Sequence, residues 1–423
     1  MDPGSRGQRR SAGMTKERQP WPPMIDSRET CGSVSSFAHW KGGGATGEGA
    51  MTIRNGRGFA LHGSFCGCGL NRCGVRSRGP SRRQFIATAA ALGATAMAAP
   101  AVLGQARAET AKLIDVHHHI VPPFWFEEVK PQIIAQGGGR IVPTWFGWSP
   151  QRAVEEMDKN GVATAIISMT TPGIWFGDVV QGRRLARDYN DYAMKIVGDH
   201  AGRFGLWATI PLPDTEGSLK EIEYALDGLH ADGIGLMTSY GNLWLGDPAF
   251  SPVLDELNRR KAVVYVHPSS PLCCTSLMSY VPPFFSEFQQ DTTRAILSLI
   301  FSGALTRHAD ISFIFSHAGG TLPMVAGRIE HYSALPAFKD KVPNGFATEL
   351  KRLHYEIANS AHRPAIAALT SMVPTSQILF GSDFPLVAID ETAQGLAKLS
   401  FAPADFQMIA RDNALRLVPR LRA

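Results

Sequence analysis

"LIDVHHHIVPP", residues 113–123, places three adjacent histidines at the end of an apolar run that reads as a buried strand. Strand side chains alternate between faces, so His117 and His119 point one way and His118 the other. A same-face imidazole pair at a strand end can chelate a metal ion. A polar His-rich turn is the competing reading until further ligands are found.

Seven more apolar runs follow: Val162–Met169, Arg203–Ile210, Gly233–Thr238, Ala262–Val266, Ile311–Ser316, Leu353–Ala358 and Ile378–Phe380, with Lys112–Val116 as the first of eight. Between them lie amphipathic stretches such as "SPQRAVEEMDKNG", "GRRLARDYNDYAMKIVGDH", "GSLKEIEYALDGLHADG" and "SPVLDELNRRK", with helical spacing of apolar residues and cap or turn signals at their ends. Eight strands alternating with helices point to an α/β chain folded as a (β/α)8 TIM barrel. A doubly wound open sheet is the second choice, but no G-x-G-x-x-G follows the first strand. No internal repeat is visible.

A barrel places its chemistry where strands end at their C-terminal side. Strand one ends in His117-His118-His119, strand five at His267 in "VVYVHPSS", strand six at His317 in "FIFSHAGG", and strand eight at Asp383 in "ILFGSDFP". A single buried histidine is usually a satisfied core residue. Several on one rim, with an aspartate, make a nitrogen/oxygen site for a divalent ion.

The 423 residues are 44% hydrophobic and 19% charged, an ordinary globular composition. Residues 1–108 hold 15 Lys or Arg against 5 Asp or Glu, whereas the rest hold 27 against 32. The basicity belongs to the leader, so the net charge of +5 does not argue for nucleic-acid binding. Residues 1–80 are rich in Gly, Ser and Arg without apolar periodicity and read as disordered, or as untranslated, because Met51 is an equally good start. Residues 81–108 open with Ser81-Arg82-Arg83-Gln84-Phe85-Ile86, continue through an Ala-rich segment and end at Ala106-Arg107-Ala108, the pattern of a Tat-type signal with a small-x-small cleavage site. Gly93, Pro100 and Gly104 interrupt that segment, which argues against a membrane anchor. Periplasmic export of the folded domain 109–423 is the resulting expectation, with a cytoplasmic location if the leader is not used. His62, Cys66, Cys68 and Cys73 have no standard zinc-finger spacing, and Cys273 and Cys274 are expected as free thiols because adjacent cysteines close a strained ring.

The D-x-H-x-H of Asp115–His119, the H-P of His267-Pro268, the H-A-G-G of His317–Gly320 and the G-S-D-F-P of Gly381–Pro385 resemble the amidohydrolase superfamily. The likeness is to its branch of aminocarboxymuconate semialdehyde, gamma-resorcylate and 6-methylsalicylate decarboxylases. It runs over 112–420 and includes "RFGLWATIPLPD", "DTTRAILSLIFSG" and "LPMVAGRIEHY", which look most like the methylsalicylate group. The resemblance implies that His117, His119, His267 and Asp383 bind metal and that His317 acts in proton transfer. Binuclear relatives carry a bridging lysine on strand four. No Lys occurs here between Lys220 and Lys261, which implies one ion, zinc first and manganese second. By the same resemblance Arg140 and Arg328 bind a carboxylic acid substrate, Arg328 in a partner's site, which implies a homodimer.

Two reaction classes stay open. A decarboxylase would use the ion as Lewis acid and template, with Asp383 or His317 as general acid. A hydrolase of a lactone, ester or amide would use metal-activated water with Asp383 as base. Phe124, Trp125, Trp175, Phe176 and Phe284 are expected on loops beside the rim, where Trp175 and Phe284 would wall a flat aromatic acid. A non-catalytic binding module is the third class, and the five converging residues argue against it.

Overall fold

The structure, a computed structural model, describes residues 113–136, 145, 147–271, 273, 274, 278 and 280–422. The leader segments 1–80 and 81–108 and Arg140 lie outside the described residues. Strands β1 (Leu113–His119), β2 (Val162–Ser168), β3 (Phe204–Thr209), β4 (Gly233–Met237), β5 (Val263–His267), β6 (Ser312–Phe315), β7 (His354–Glu356) and β8 (Ile378–Leu379) follow one another in a single parallel sheet in chain order. Val116 N–H donates to Phe380 O at 3.0 Å and His119 N–H to Phe384 O at 2.7 Å, which brings the end of β8 back against β1. All eight apolar runs therefore became strands in the barrel order, each a little shorter than or offset from its expected bounds. A short hairpin of Ser239–Tyr240 and Leu243–Trp244 above β4 was not foreseen.

Helices α1 (Pro123–Gln136), α2 (Pro150–Lys159), α3 (Val179–Asp199), α4 (Thr215–Glu223), α5 (Ser251–Arg259), α6 (Glu287–Phe301) and α7 (Leu322–Ser333) alternate with the strands. Their starts follow capping chemistry. Ser149 accepts from Arg152 N–H ahead of Pro150 at the first position of α2, and Asp178 accepts from Gln181 N–H at α3. Asp214 does the same for Gly217 N–H at α4. Among the described residues no helix is long and apolar enough to cross a membrane.

Two apolar layers result. One lies between strands and helices. The other fills the barrel with Ile114, Val116, Ile166, Trp207, Val263, Tyr265, Ile314 and Leu379, joined by Ala414, Leu415, Val418 and Leu421 of the C-terminal segment. Arg420 of that segment pairs with Asp232, just before β4 begins, so the segment caps the end of the barrel opposite the histidines.

The phase of β1 decides which histidines enter the barrel. Ile114 and Val116 point inward, and strict alternation would send His118 in with them. Between Asp115↔Ala165 and His118↔Ile167, however, three steps of β1 face two of β2. This bulge shifts the alternation by one residue. His117 and His119 then face the interior and His118 turns outward.

Candidate metal centre

Donor atoms of His117, His119, His267 and Asp383, all buried, lie within 4.8 Å of one another at the C-terminal mouth of the barrel. His117 Nε2 is 2.9 Å from His119 Nε2, and both face Asp383 Oδ1, at 3.1 and 3.2 Å. The His267 ring stands edge-on to both, with centroids 5.2 and 4.7 Å away. The other ring nitrogen of each histidine is engaged. His117 Nδ1 donates to Glu356 Oε1 at 2.8 Å, His267 Nδ1 to Pro268 O at 2.9 Å, and His119 Nδ1 lies 3.3 Å from Ser168 O. These acceptors fix the tautomers and turn the Nε2 lone pairs toward a common point.

The donor set fits a divalent cation. Facing Nε2 atoms repel unless something positive lies between them, and the buried Asp383 Oδ1 faces both of them. Burial alone would lower the His117 pKa, but the carboxylates of Glu356 and Asp383 raise it to about 10. Burial would raise Asp383, yet His117 and the hydrogen bonds from His117, His119 and His317 hold it well below the usual carboxylate value. Burial holds His267 well below the ordinary imidazole value, and the charges of His119 and His117 add to this. The pocket thus attracts positive charge, which His117 carries as a proton and a divalent cation would carry in its place, while burial keeps His119 and His267 neutral.

His317 is placed differently. Its Nε2 lies 3.4 Å from Asp383 Oδ2, whereas His117 and His119 face Oδ1, and its ring centroid is 5.0 Å from that of His117. Its backbone is left-handed (φ 54°), as is that of Asp383 (φ 67°). A hydrogen bond from its N–H to Glu356 Oε1, 2.8 Å, holds it there. Asn359 is left-handed as well and gives its amide to Asp383 Oδ2 at 2.7 Å.

His317, Asn359 and Asp383 floor a cavity of about 610 Å³ whose walls include Ile133, Trp145, Phe284, Phe285, Phe288 and Leu386. Phe284 is therefore at the cavity, as expected. Trp175 is not among its lining residues; its ring packs over Gly182 of α3. Phe124 and Trp125 belong to α1 rather than to a loop, and Trp125 is wholly buried with its Nε1–H on Gly173 O. Arg328 is exposed on α7 with its guanidinium 5.1 Å from the Tyr332 ring, away from this chain's cavity.

Glu356 and Asn359 were missed, and Asp115, which opens the D-x-H-x-H motif, was given no role. Asp115 accepts from Ser382 Oγ and N–H, His117 N–H and His118 Nδ1, so it ties β1 to the loop that carries Asp383. Glu356 ends β7 but lies inside the expected run Leu353–Ala358, whereas Asn359 directly follows that run and the strand-end rule would have found it.

The amidohydrolase family matches residues 114–420. The chain belongs to that family. This amidohydrolase is 34% identical over 330 residues to a decarboxylase of Aspergillus niger, covering 73% of this chain and 88% of the relative. It is also 34% identical to 6-methylsalicylic acid decarboxylase of Aspergillus aculeatus, over 73% of this chain and 96% of that one. A crystal structure of dihydroxybenzoic acid decarboxylase from a Polaromonas species, with bound manganese and 2-nitroresorcinol, shares the fold at a TM-score of 0.65 and 21% identity, covering 74% and 98% of the two chains.

Proposed function

We propose that the protein is a metal-dependent decarboxylase, a carbon–carbon lyase acting on a small aromatic carboxylic acid of the hydroxybenzoate type, such as 6-methylsalicylate. The observation that carries this reading is a buried three-histidine, one-aspartate cluster opening into an aromatic-walled cavity, in a chain 34% identical to decarboxylases over most of their length. The donor set suits one zinc ion, with manganese the alternative. When bound, the ion supplies Lewis acidity toward the substrate's carboxylate and neighbouring phenolic oxygen.

The chain's own groups do the rest. Phe284, Phe285, Phe288 and Trp145 hold a flat ring and exclude water. Asp383 stays ionised beside His117, which leaves it a poor proton donor and gives that role to His317. As carbon dioxide leaves, His317 Nε2 delivers its proton to the ring carbon. Arg140 and Arg328 are proposed to bind the substrate carboxylate, Arg328 across a homodimer. Exposed Met324, Tyr332, Leu335 and Phe338 on and after α7 support such a contact. The leader supports Tat-dependent periplasmic export: Ser81–Ile86 carries the twin arginine and Ala106–Ala108 the cleavage pattern.

The decisive experiment measures bound metal in the purified protein and screens hydroxybenzoates, 6-methylsalicylate and lactones. Carbon dioxide released in proportion to a phenolic product is the expected result. Lactone opening without carbon dioxide would replace this reading with the hydrolytic one.

A further inference from the structure

Cys273 and Cys274 are consecutive, and neither is in a disulfide. They lie on the connection between His267, in the donor cluster, and Phe284 and Phe285, on the cavity wall. Their sulfurs approach to 2.7 Å, with Cys273 exposed and Cys274 buried. Cys274 lines a small crevice with Met278, Val281, Pro283 and Glu287, and its N–H donates to Pro271 O at 2.9 Å. The pair is thus seated against the turn that carries the two phenylalanines.

Two sulfurs held this close form a bidentate soft donor. Direct S–S closure is strained, because consecutive Cα atoms are about 3.8 Å apart across a trans peptide whereas disulfides usually span roughly 4.4–6.8 Å. One bridging atom enlarges the ring and relieves that strain. Sulfur donors select soft centres, and a pyramidal trivalent arsenic accepts two sulfurs on neighbouring corners. The hydrogen bond with Cys273, followed by burial, pushes the Cys274 thiol up to about 11, so it is protonated at neutral pH and slow in thiol–disulfide exchange.

We propose that Cys273 and Cys274 form a vicinal dithiol site for trivalent organoarsenicals, on the connection that leads to the wall of the active cavity. With an arsenical oxide, two As–S bonds form. The oxide oxygen leaves as water with the two thiol protons, and arsenic keeps its oxidation state. An arsenic seated between the sulfurs spreads them from their 2.7 Å contact, which moves Cys274 in the crevice beside Pro283 and shifts the Phe284–Phe285 turn, so occupancy also lowers turnover.

The test exposes the reduced full-length protein to phenylarsine oxide and reads the adduct by mass spectrometry and peptide mapping, independently of any turnover. One adduct should appear on the peptide holding both cysteines, with both protected from alkylation. A dithiol such as 2,3-dimercaptopropanol should release it, whereas a monothiol at equal thiol concentration should not. Cys273→Ser changes an exposed side chain and leaves one sulfur, so affinity at this peptide should fall by about 100-fold or more. Alkylation of Cys273 and Cys274 despite the arsenical overturns the proposal, as does capture confined to Cys66 and Cys68, or an adduct that survives Cys273→Ser unchanged.

Discussion

His117 lies between two carboxylates, Glu356 at Nδ1 and Asp383 at Nε2, and three substitutions around it separate binding from chemistry. Glu356→Gln keeps the shape but removes the charge that orients His117 and anchors the His317 N–H. Metal affinity should fall about 10–100-fold, the usual cost of losing such a partner, as read by competition with a chelator. His118→Ala should leave metal stoichiometry unchanged. His118 instead stacks on Phe384, with centroids 4.9 Å apart, and bonds Asp115, so stability should drop by about 2–4 kcal/mol in denaturant titration. Metal loss equal to that of His117→Ala would show that the bulge is misplaced. His317→Ala should retain metal while turnover falls roughly 10²–10⁴-fold. Rescue of turnover by added metal would make His317 a ligand instead of a proton donor.

Asp291 on α6 shows how elements hold the rim. Its carboxylate accepts from Thr238 Oγ1 at 2.5 Å, Ser239 Oγ at 2.8 Å and Trp244 Nε1 at 2.6 Å. Thr238 in turn donates its N–H to His267 O and accepts from Ser269 N–H. One buried side chain therefore clamps the ends of β4 and β5 and the hairpin onto α6. Asp291→Ala strands those donors, each at about 1–3 kcal/mol. A fall of about 3 kcal/mol or more in unfolding free energy is expected; a change below about 1 kcal/mol would mean that the network is not holding the elements. None of this was legible beforehand, because the hairpin has only two residues per strand and no periodicity to read.

Across the whole molecule, His354 of β7 couples the barrel to its C-terminal cap. Burial, and then the charge of Arg416 on the capping segment, lowers its pKa from an ordinary 6.5 to about 4. Between those values the unfolded chain binds a proton that the folded chain refuses, so stability is full above pH 6.5 and declines toward pH 4. The ceiling on this contribution is about 3 kcal/mol at 1.36 kcal/mol per unit. Thermal midpoints measured from pH 7 to 4.5 should fall for the native protein, and His354→Gln should flatten part of that slope. An identical slope in the variant would place the acid sensitivity elsewhere.

What the sequence by itself determined is the repeating chemistry of the barrel. Eight apolar runs separated by capped amphipathic stretches admit few other folds, and polar residues directly after such runs are carried to one rim because parallel strands all end on the same side. That logic brought His117, His119, His267, His317 and Asp383 together without any pairwise contact being known. Only the tertiary structure decided what depends on phase and on distant neighbours. The β1 bulge needs the register against β2, since by alternation from Ile114 and Val116 alone the inward residue would be His118. The role of Glu356 needs the barrel to close so that β7 reaches β1 past the intervening β8, across 239 residues of sequence at this contact. Trp175 left the rim for Gly182 and Trp125 left it for the core because a large apolar ring goes wherever it loses most water, and a loop assignment does not say where that is. Local pattern fixes which residues reach the rim, whereas pairing and packing between remote segments fix which face each takes and what it meets there.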